Sequence, residues 1–219
     1  ESIDWMKRIE LKGMLPSVFA GRGDTGSQVW LRDVTLERGR NYLISAESGT
    51  GKSSLCSYIY GYRNDFAGTL LLDGRDVNTL TVSEWCDVRR RHIAYLPQDL
   101  RLFPELTVME NILLKNQLTH YKSEAQIVQM LEMLGVAEKA QSLVAHLSIG
   151  QQQRVALVRT LCQPADFIVL DEPVSHLDES NNRIVAQLVS TEASVQGAGI
   201  IATSVGNHVL ITVDEELKL

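Results

Sequence analysis

The stretch Ala46-Glu47-Ser48-Gly49-Thr50-Gly51-Lys52-Ser53-Ser54 constrains this chain more than any other. An apolar run, Tyr42-Leu43-Ile44, precedes it, and Leu55 to Tyr60 reads as helix. A strand, a glycine-bearing turn and a helix start make a cradle for phosphate. Successive backbone N–H groups point inward, and the helix dipole favours an anion there. Gly49 and Gly51 allow positive φ and a close approach of backbone to ligand. Lys52 can reach the outer phosphates and the Ser53 hydroxyl can hold Mg²⁺, while Glu47, Ser48, Thr50 and Ser54 complete the nucleotide-binding loop. The pattern G-x-x-x-x-G-K-[ST] is broken at its first position, where Ala46 replaces glycine; a small residue still suits the turn. The competing reading is an ordinary strand-to-helix turn that happens to carry a lysine.

A chain of 219 residues can bury one substantial core, or one core and a smaller subdomain. Its 44% apolar and 22% charged content is that of a soluble globular protein. The net charge of −6 argues against a broad phosphate-backbone footprint, so nucleic acid is not expected as a partner. No run approaches the ~18 apolar residues of a membrane span. No basic-then-apolar leader opens the chain, which starts without Met and is read as trimmed. Cys56, Cys86 and Cys162 share no metal-ligand spacing and fit small, buried residues in a reducing compartment.

Taken in order, Ile9-Glu10-Leu11-Lys12 alternates as a half-buried strand, and Ala20 to Gln28 reads as a hairpin loop. Arg22-Gly23-Asp24 inside it is read as turn composition rather than an adhesion motif. Val29 to Leu36 alternates again, Gly39 turns, and Tyr42 to Ser45 feeds the phosphate loop. Gly68 to Gly74 reads as a strand ending in a tight turn, and His92 to Gln98 as a short strand stopped by Pro97. Arg89-Arg90-Arg91 is read as a solvated turn. Thr107 and Glu110 predict a capped helix start. Ile127, Met130, Leu131 and Leu134 form a helical stripe closed by Gly135. Val136 to Leu147 is helix or loop; 148–162 is a long helix, Asn181 to Thr191 a helix and Gly199 to Thr203 a strand. Val209 to Val213 and Leu217 to Leu219 are expected to close the fold as a small hairpin.

Phe167-Ile168-Val169-Leu170-Asp171-Glu172 carries the second strong signal. Four apolar residues fit a central parallel strand buried on both faces. Asp171 then emerges at the strand's C-terminal end, where open α/β sheets place their ligands. Asp171 can order a Mg²⁺ shell opposite Ser53, and Glu172 can polarise an attacking water. The alternative is a strand that simply ends in solvated acids.

Leu147-Ser148-Ile149-Gly150-Gln151-Gln152-Gln153-Arg154 puts a hydroxyl, a glycine and a helix dipole at another anion site. It resembles the L-S-G-G-Q signature of ATP-binding-cassette (ABC) ATPases. Leu96-Pro97-Gln98 is similar to that family's Q-loop and Ser175-His176-Leu177-Asp178 to its D-loop, with order and spacing maintained from about residue 9 to residue 204.

The resemblance implies an α/β fold: a P-loop NTPase cassette with a RecA-like core, an N-terminal antiparallel β subdomain and an inserted helical subdomain. Residues 1–219 would form a single ABC ATPase domain. Residues 1–98 and 148–219 would be the core with its β subdomain, and about 99–147 the helical subdomain. Two cassettes, identical or different, would pair head to tail. Lys52 and Gly49 to Ser54 would bind the phosphates of ATP, and Ser53, Gln98 and Asp171 would surround Mg²⁺. Glu172 would be the general base. Ser148, Gly150 and Gln151 would reach the γ-phosphate in trans, and Asp178 would couple the two sites. A membrane-spanning transporter subunit would dock near the Q-loop and the helical subdomain, placing the chain in the cytoplasm on the cytoplasmic face of the inner membrane. The subgroup most resembled includes lipoprotein-release, macrolide-export and cell-division ATPases.

The chain departs from the family in several places. Ile149 replaces a signature glycine. Ser204 follows Thr203 where the family carries a switch His, so a low intrinsic hydrolysis rate is expected; His208 is read as a surface residue rather than a substitute. The aromatic that stacks on adenine is assigned to Phe19, with Trp30 as runner-up. Two other readings stand beside the transporter subunit: a non-transport ABC ATPase regulating a membrane or cell-envelope complex, and an ATP-binding pseudoenzyme. Retention of Lys52, Asp171 and Glu172 weighs against the last.

Overall fold

The computed structural model describes residues 6–21, 23 and 26–219. Two sheets share the chain. An antiparallel sheet has the order β2-β1-β4-β5, built from β1 (Arg8–Pro16), β2 (Asp33–Glu37), β4 (Phe66–Leu72) and β5 (Arg75–Asp76). A parallel sheet has the order β6-β7-β8-β3-β9, from β3 (Asn41–Ser45), β6 (Ile93–Leu96), β7 (Phe167–Asp171), β8 (Gly199–Ser204) and β9 (Glu215–Lys218). The α/β class and the separate antiparallel sheet are as the sequence predicts.

The parallel sheet is buried on both faces because side chains alternate across it. On one face Phe167, Val169, Ile201, Tyr42 and Ile44 join Leu55 and Ile59 of α1 (Lys52–Ile59) and the inner face of the antiparallel sheet. On the other, Ile168, Leu170, Ile200 and Ala202 meet α5 (Ile149–Thr160) and α6 (Glu179–Gln196). That second core continues into α3 (Val108–Asn116) and α4 (Glu124–Met133). Both of these helices start at capping boxes, Thr107 with Glu110 and Ser123 with Gln126. The chain leaves α4 through Gly135 at φ +64°, and 136–147 runs as two 3₁₀ turns rather than a helix. Buried Asp166 ties the layers: it accepts from Met6 N–H (2.8 Å), lies 2.6 Å from His92 Nδ1 and pairs with Arg38 (3.0 Å).

The structure corrects four expectations. Residues 209–213 and 217–219 form no hairpin. Val209 and Ile211 are buried in a loop, and β9 instead pairs parallel to β3, with Leu217 opposite Ile44. Val29 and Trp30 lie in a turn, because Ser27 Oγ accepts both of their N–H groups (3.0 and 2.8 Å) and competes with the ladder. Arg89 is not a solvated turn residue. It donates to the carbonyls of Tyr60 (3.1 Å) and Gly61 (2.7 Å), and its guanidinium covers the Trp85 ring. A short helix unforeseen in the sequence, α2 (Val82–Asp87), starts at a Thr81/Glu84 capping box. Arg22 and Asp24 of the turn tripeptide lie outside the described residues. At the helix expected over Asn181 to Thr191, Asp178 caps α6 and Gly197 ends it in the left-handed region, so it runs longer than expected.

Candidate functional site

All strands of the parallel sheet point the same way, so their C-terminal ends share one edge. Loop 46–51 leaves β3 at that edge and enters α1 through Gly51, at φ +99° with no side-chain cap. A helix start uncapped by side chains leaves its N–H groups for a ligand. Lys52 is 5% exposed; its Nζ donates to the Glu47 carbonyl (3.2 Å) and stands 3.7 Å from Glu172 Oε1. Ser53 Oγ donates to Gln98 Oε1 (3.3 Å), joining α1 to the segment after β6. Glu47, Ser48 and Gly49 lie exposed on the loop, and Ser54 Oγ accepts from Arg63 (2.9 Å).

Asp171 ends β7 at 1% exposure. Its Oδ1 accepts from Thr203 Oγ1 (2.8 Å), while its Oδ2 is buried with no hydrogen-bond partner among the described residues. Thr203 Oγ1 also accepts from the Glu172 N–H (3.2 Å), so one hydroxyl of β8 fixes both acids. The sequence shows Thr203 but not this bridge, which the register Asp171 opposite Thr203 creates. A hydroxyl, an amide oxygen and an unpartnered carboxylate oxygen are the hard oxygen ligands that Mg²⁺ takes. This donor set fits a Mg²⁺ completed by phosphate and water.

Ser204 is 3% exposed, opposite Ser45, and its carbonyl accepts from Ala46 N–H (3.2 Å). It therefore sits at the root of the phosphate loop. His208 is exposed, and its carbonyl accepts from Asn182 Nδ2 (2.9 Å). Phe19, assigned to the adenine, is largely buried. It is 7% exposed, and both Phe19 and Trp30 pack beneath the loop, 3.1 Å from where a Cβ on Gly51 would stand. Trp30 Nε1 donates to the Thr50 carbonyl (2.9 Å), so the pair props the cradle from below.

Ser148, Gly150 and Gln151 start α5. Ser148 Oγ accepts from Gln151 N–H (3.3 Å) and Gln151 Oε1 accepts from Ser148 N–H (2.9 Å), a reciprocal cap. Ile149 is 49% exposed beside them. No hydrogen bond or ion pair among the described residues joins these three to loop 46–51. Asp178 caps α6; the Asn181 N–H and amide donate to its carboxyl and hold it below the usual carboxylate range.

A separate cavity of about 230 Å³ opens beside Pro97, lined by Tyr60, Tyr62, Tyr95, Arg101, Lys115 and Arg159. Burial, and then Arg159, push the Lys115 ammonium down to about 8.

The family model described as "ABC transporter" matches residues 32–175. The chain is 34% identical over 164 residues to the ribose import ATP-binding protein RbsA of Caldanaerobacter subterraneus, covering 72% of this chain and 32% of that relative. It is thus similar to about a third of that longer protein. It is 32% identical over 176 residues to the lipoprotein-releasing system ATP-binding protein LolD of Zymomonas mobilis, covering 78% of this chain and 75% of LolD. Its fold matches the dimeric structure of MJ0796, a bacterial ABC transporter cassette, with TM-score 0.74 and 26% identity over 89% of this chain and 87% of that one.

Gly51→Ala forces a side chain into the left-handed region and against two rings. It is expected to destabilise the protein by about 1–3 kcal/mol in chemical denaturation and to weaken nucleotide binding in titration calorimetry.

Proposed function

The chain belongs to the ABC transporter family, and we propose that it is the subunit that binds and hydrolyses ATP to power a transporter, by closing and reopening a pair of cassettes. The observation that carries this reading is the convergence of Lys52, the Ser53–Gln98 contact, Asp171 and Glu172 on one sheet edge. Loop 46–51 and Lys52 would hold the phosphates. Ser53, Gln98 and Asp171 would hold Mg²⁺, which when bound neutralises charge on the phosphates. Glu172 would accept a proton from the attacking water. Residues 99–147 would act as the helical subdomain.

In this reading Ser148, Gly150 and Gln151 serve the partner cassette's nucleotide. Their lack of contact with the chain's own loop 46–51 supports a role in trans. The exposed Ile149 would border that interface. Asp178, held ionised at an exposed helix start, would touch the partner cassette and couple the sites. Among the described residues no helix is long and apolar enough to cross a membrane. The membrane-spanning part would come from another subunit, docked at the tyrosine-lined cavity beside Gln98 and α3, on the cytoplasmic face of the inner membrane.

Ser204 favours slow turnover: it is buried, short and uncharged where a cationic contact to the γ-phosphate would act. A regulator of an envelope complex would share every feature of the site. The paired acids and Lys52 support turnover over binding alone.

Glu172→Gln is expected to remove hydrolysis while keeping ATP, so that Mg-ATP drives a stable dimer in size-exclusion chromatography; a monomer at saturating nucleotide contradicts the sandwich. Ser204→His is expected to raise the hydrolysis rate about tenfold or more, by restoring one transition-state contact. An unchanged rate in a folded, ATP-binding variant would show that another residue already supplies it.

A further inference from the structure

One buried side chain interlocks the start of α5 with the loop after β7. Gln153 is 3% exposed. Its Nε2 donates to the Glu172 carbonyl (3.0 Å) and to Ser175 Oγ (3.3 Å), and its Oε1 accepts from His176 N–H (3.2 Å). Donor and acceptor of the carboxamide are thus both used on the single loop Glu172–His176. The two segments touch again nearby: a Cβ on Gly150 would stand 3.1 Å from the His176 carbonyl, so no larger residue fits there without a shift. Arg154, one residue on, reaches Asn181 Oδ1 (3.3 Å) at the start of α6.

Glu172 explains why such a clamp is needed. Its φ of +51° is a left-handed conformation that few residues with a side chain adopt. It persists only where the surroundings hold it from both sides. Here the Glu172 N–H is held by Thr203 Oγ1, and its carbonyl accepts from Gln153 Nε2 at 3.0 Å and, at longer range, from the Ser175 N–H at 3.4 Å. Rotation of either flanking peptide would break these bonds, and of the two donors on the carbonyl only Gln153 comes from α5. The direction of the Glu172 carboxylate follows from that backbone.

We infer that Gln153 is a positioning residue: it fixes the Glu172 backbone, aims that carboxylate at the attacking water, and ties this aim to the start of α5. The inference rests on Glu172 being the general base. Gln153 acts through the backbone of Glu172 and its loop, where its carboxamide bonds Glu172, Ser175 and His176. The helix start that serves the partner's ATP and the acid that serves the chain's own ATP then move as one body, so closure at one site sets the base at the other.

The test uses the full chain in two variants. Gln153→Met keeps the length and removes donor and acceptor. Gln153→Glu keeps an acceptor for His176 and, when ionised, sets an oxygen against the Glu172 carbonyl; on protonation its O–H donates there again. Single-turnover release of radiolabelled phosphate reads slow rates, and ATP affinity is measured in parallel. Both variants are expected to lose at least about tenfold in rate near neutral pH while ATP affinity stays within about threefold. As pH falls from about 8 to about 6, the rate of Gln153→Glu relative to wild type is expected to climb, and that of Gln153→Met to stay flat.

Rates within about twofold of wild type, a loss explained wholly by ATP affinity, or the same flat ratio in both variants would overturn the inference. So would failure of both variants to fold in thermal denaturation, which would make Gln153 a structural residue only. Glu172→Gln is run beside them. If it hydrolyses like wild type, the reading of Glu172 falls and takes the inference with it. If it is inactive while the Gln153 variants are not, only the inference falls.

Discussion

A carboxylate oxygen sealed in protein without a donor costs about 1–3 kcal/mol or more, and Asp171 Oδ2 is buried with no donor among the described residues. The parallel sheet sets it there. β7 is buried along its whole length, so the acid that ends it begins inside the protein, and Thr203 of the next strand satisfies only the other oxygen. In the proposed reading a cation from solution completes the site. The neighbouring groups are arranged on the same terms: an uncapped helix start, a buried lysine beside a carboxylate, and a hydroxyl held by an amide oxygen. In the proposed reading a Mg²⁺-bound polyphosphate would meet all of them together.

Much of this was legible in the sequence because it is local. Gly49, Gly51 and Lys52 announce their loop by spacing, and the run Phe167 to Leu170 announces a strand buried on both faces. Thr107 with Glu110, and the stripe ending at Gly135, fix two helices by chemistry that acts within four residues. What escaped is long-range. Leu217 pairs with Ile44 across the whole chain, and nothing in 215–218 tells a parallel edge strand from half of a hairpin. Arg89 in a basic run looks solvated until Tyr60, Tyr62 and Trp85 gather around it. Phe19, assigned to the adenine, and Trp30, its runner-up, both bring ring atoms to 3.1 Å from where a Cβ on Gly51 would stand. Gln153 sits among three glutamines with nothing local to mark the buried one.

The departures from the family pattern act on different steps. Ile149 is exposed at the helix start, where in the proposed reading a second cassette would meet it. Ser204 is buried at the root of the phosphate loop, so in that reading its effect would fall on hydrolysis at the chain's own site. Binding and pairing would then survive a change that slows hydrolysis. The cationic, tyrosine-lined cavity beside Pro97 is separate from both. Residues of α3 line it, and Pro97 precedes Gln98, which accepts from Ser53; a subunit docked there, as proposed, would have a physical route to Ser53.

The account stands on nucleotide shared between two copies, and complementation tests that most directly. Chains carrying Lys52→Ala and chains carrying Ser148→Arg are each expected to be inactive, since every site in either pure dimer lacks one half. Mixed, they form dimers with one damaged site and one intact site, whose loop comes from the Ser148 variant and whose helix start comes from the Lys52 variant. Recovery of ATP hydrolysis on mixing is the predicted result. A Ser148→Arg chain that is fully active alone, or a mixture as inactive as its parts, would contradict it.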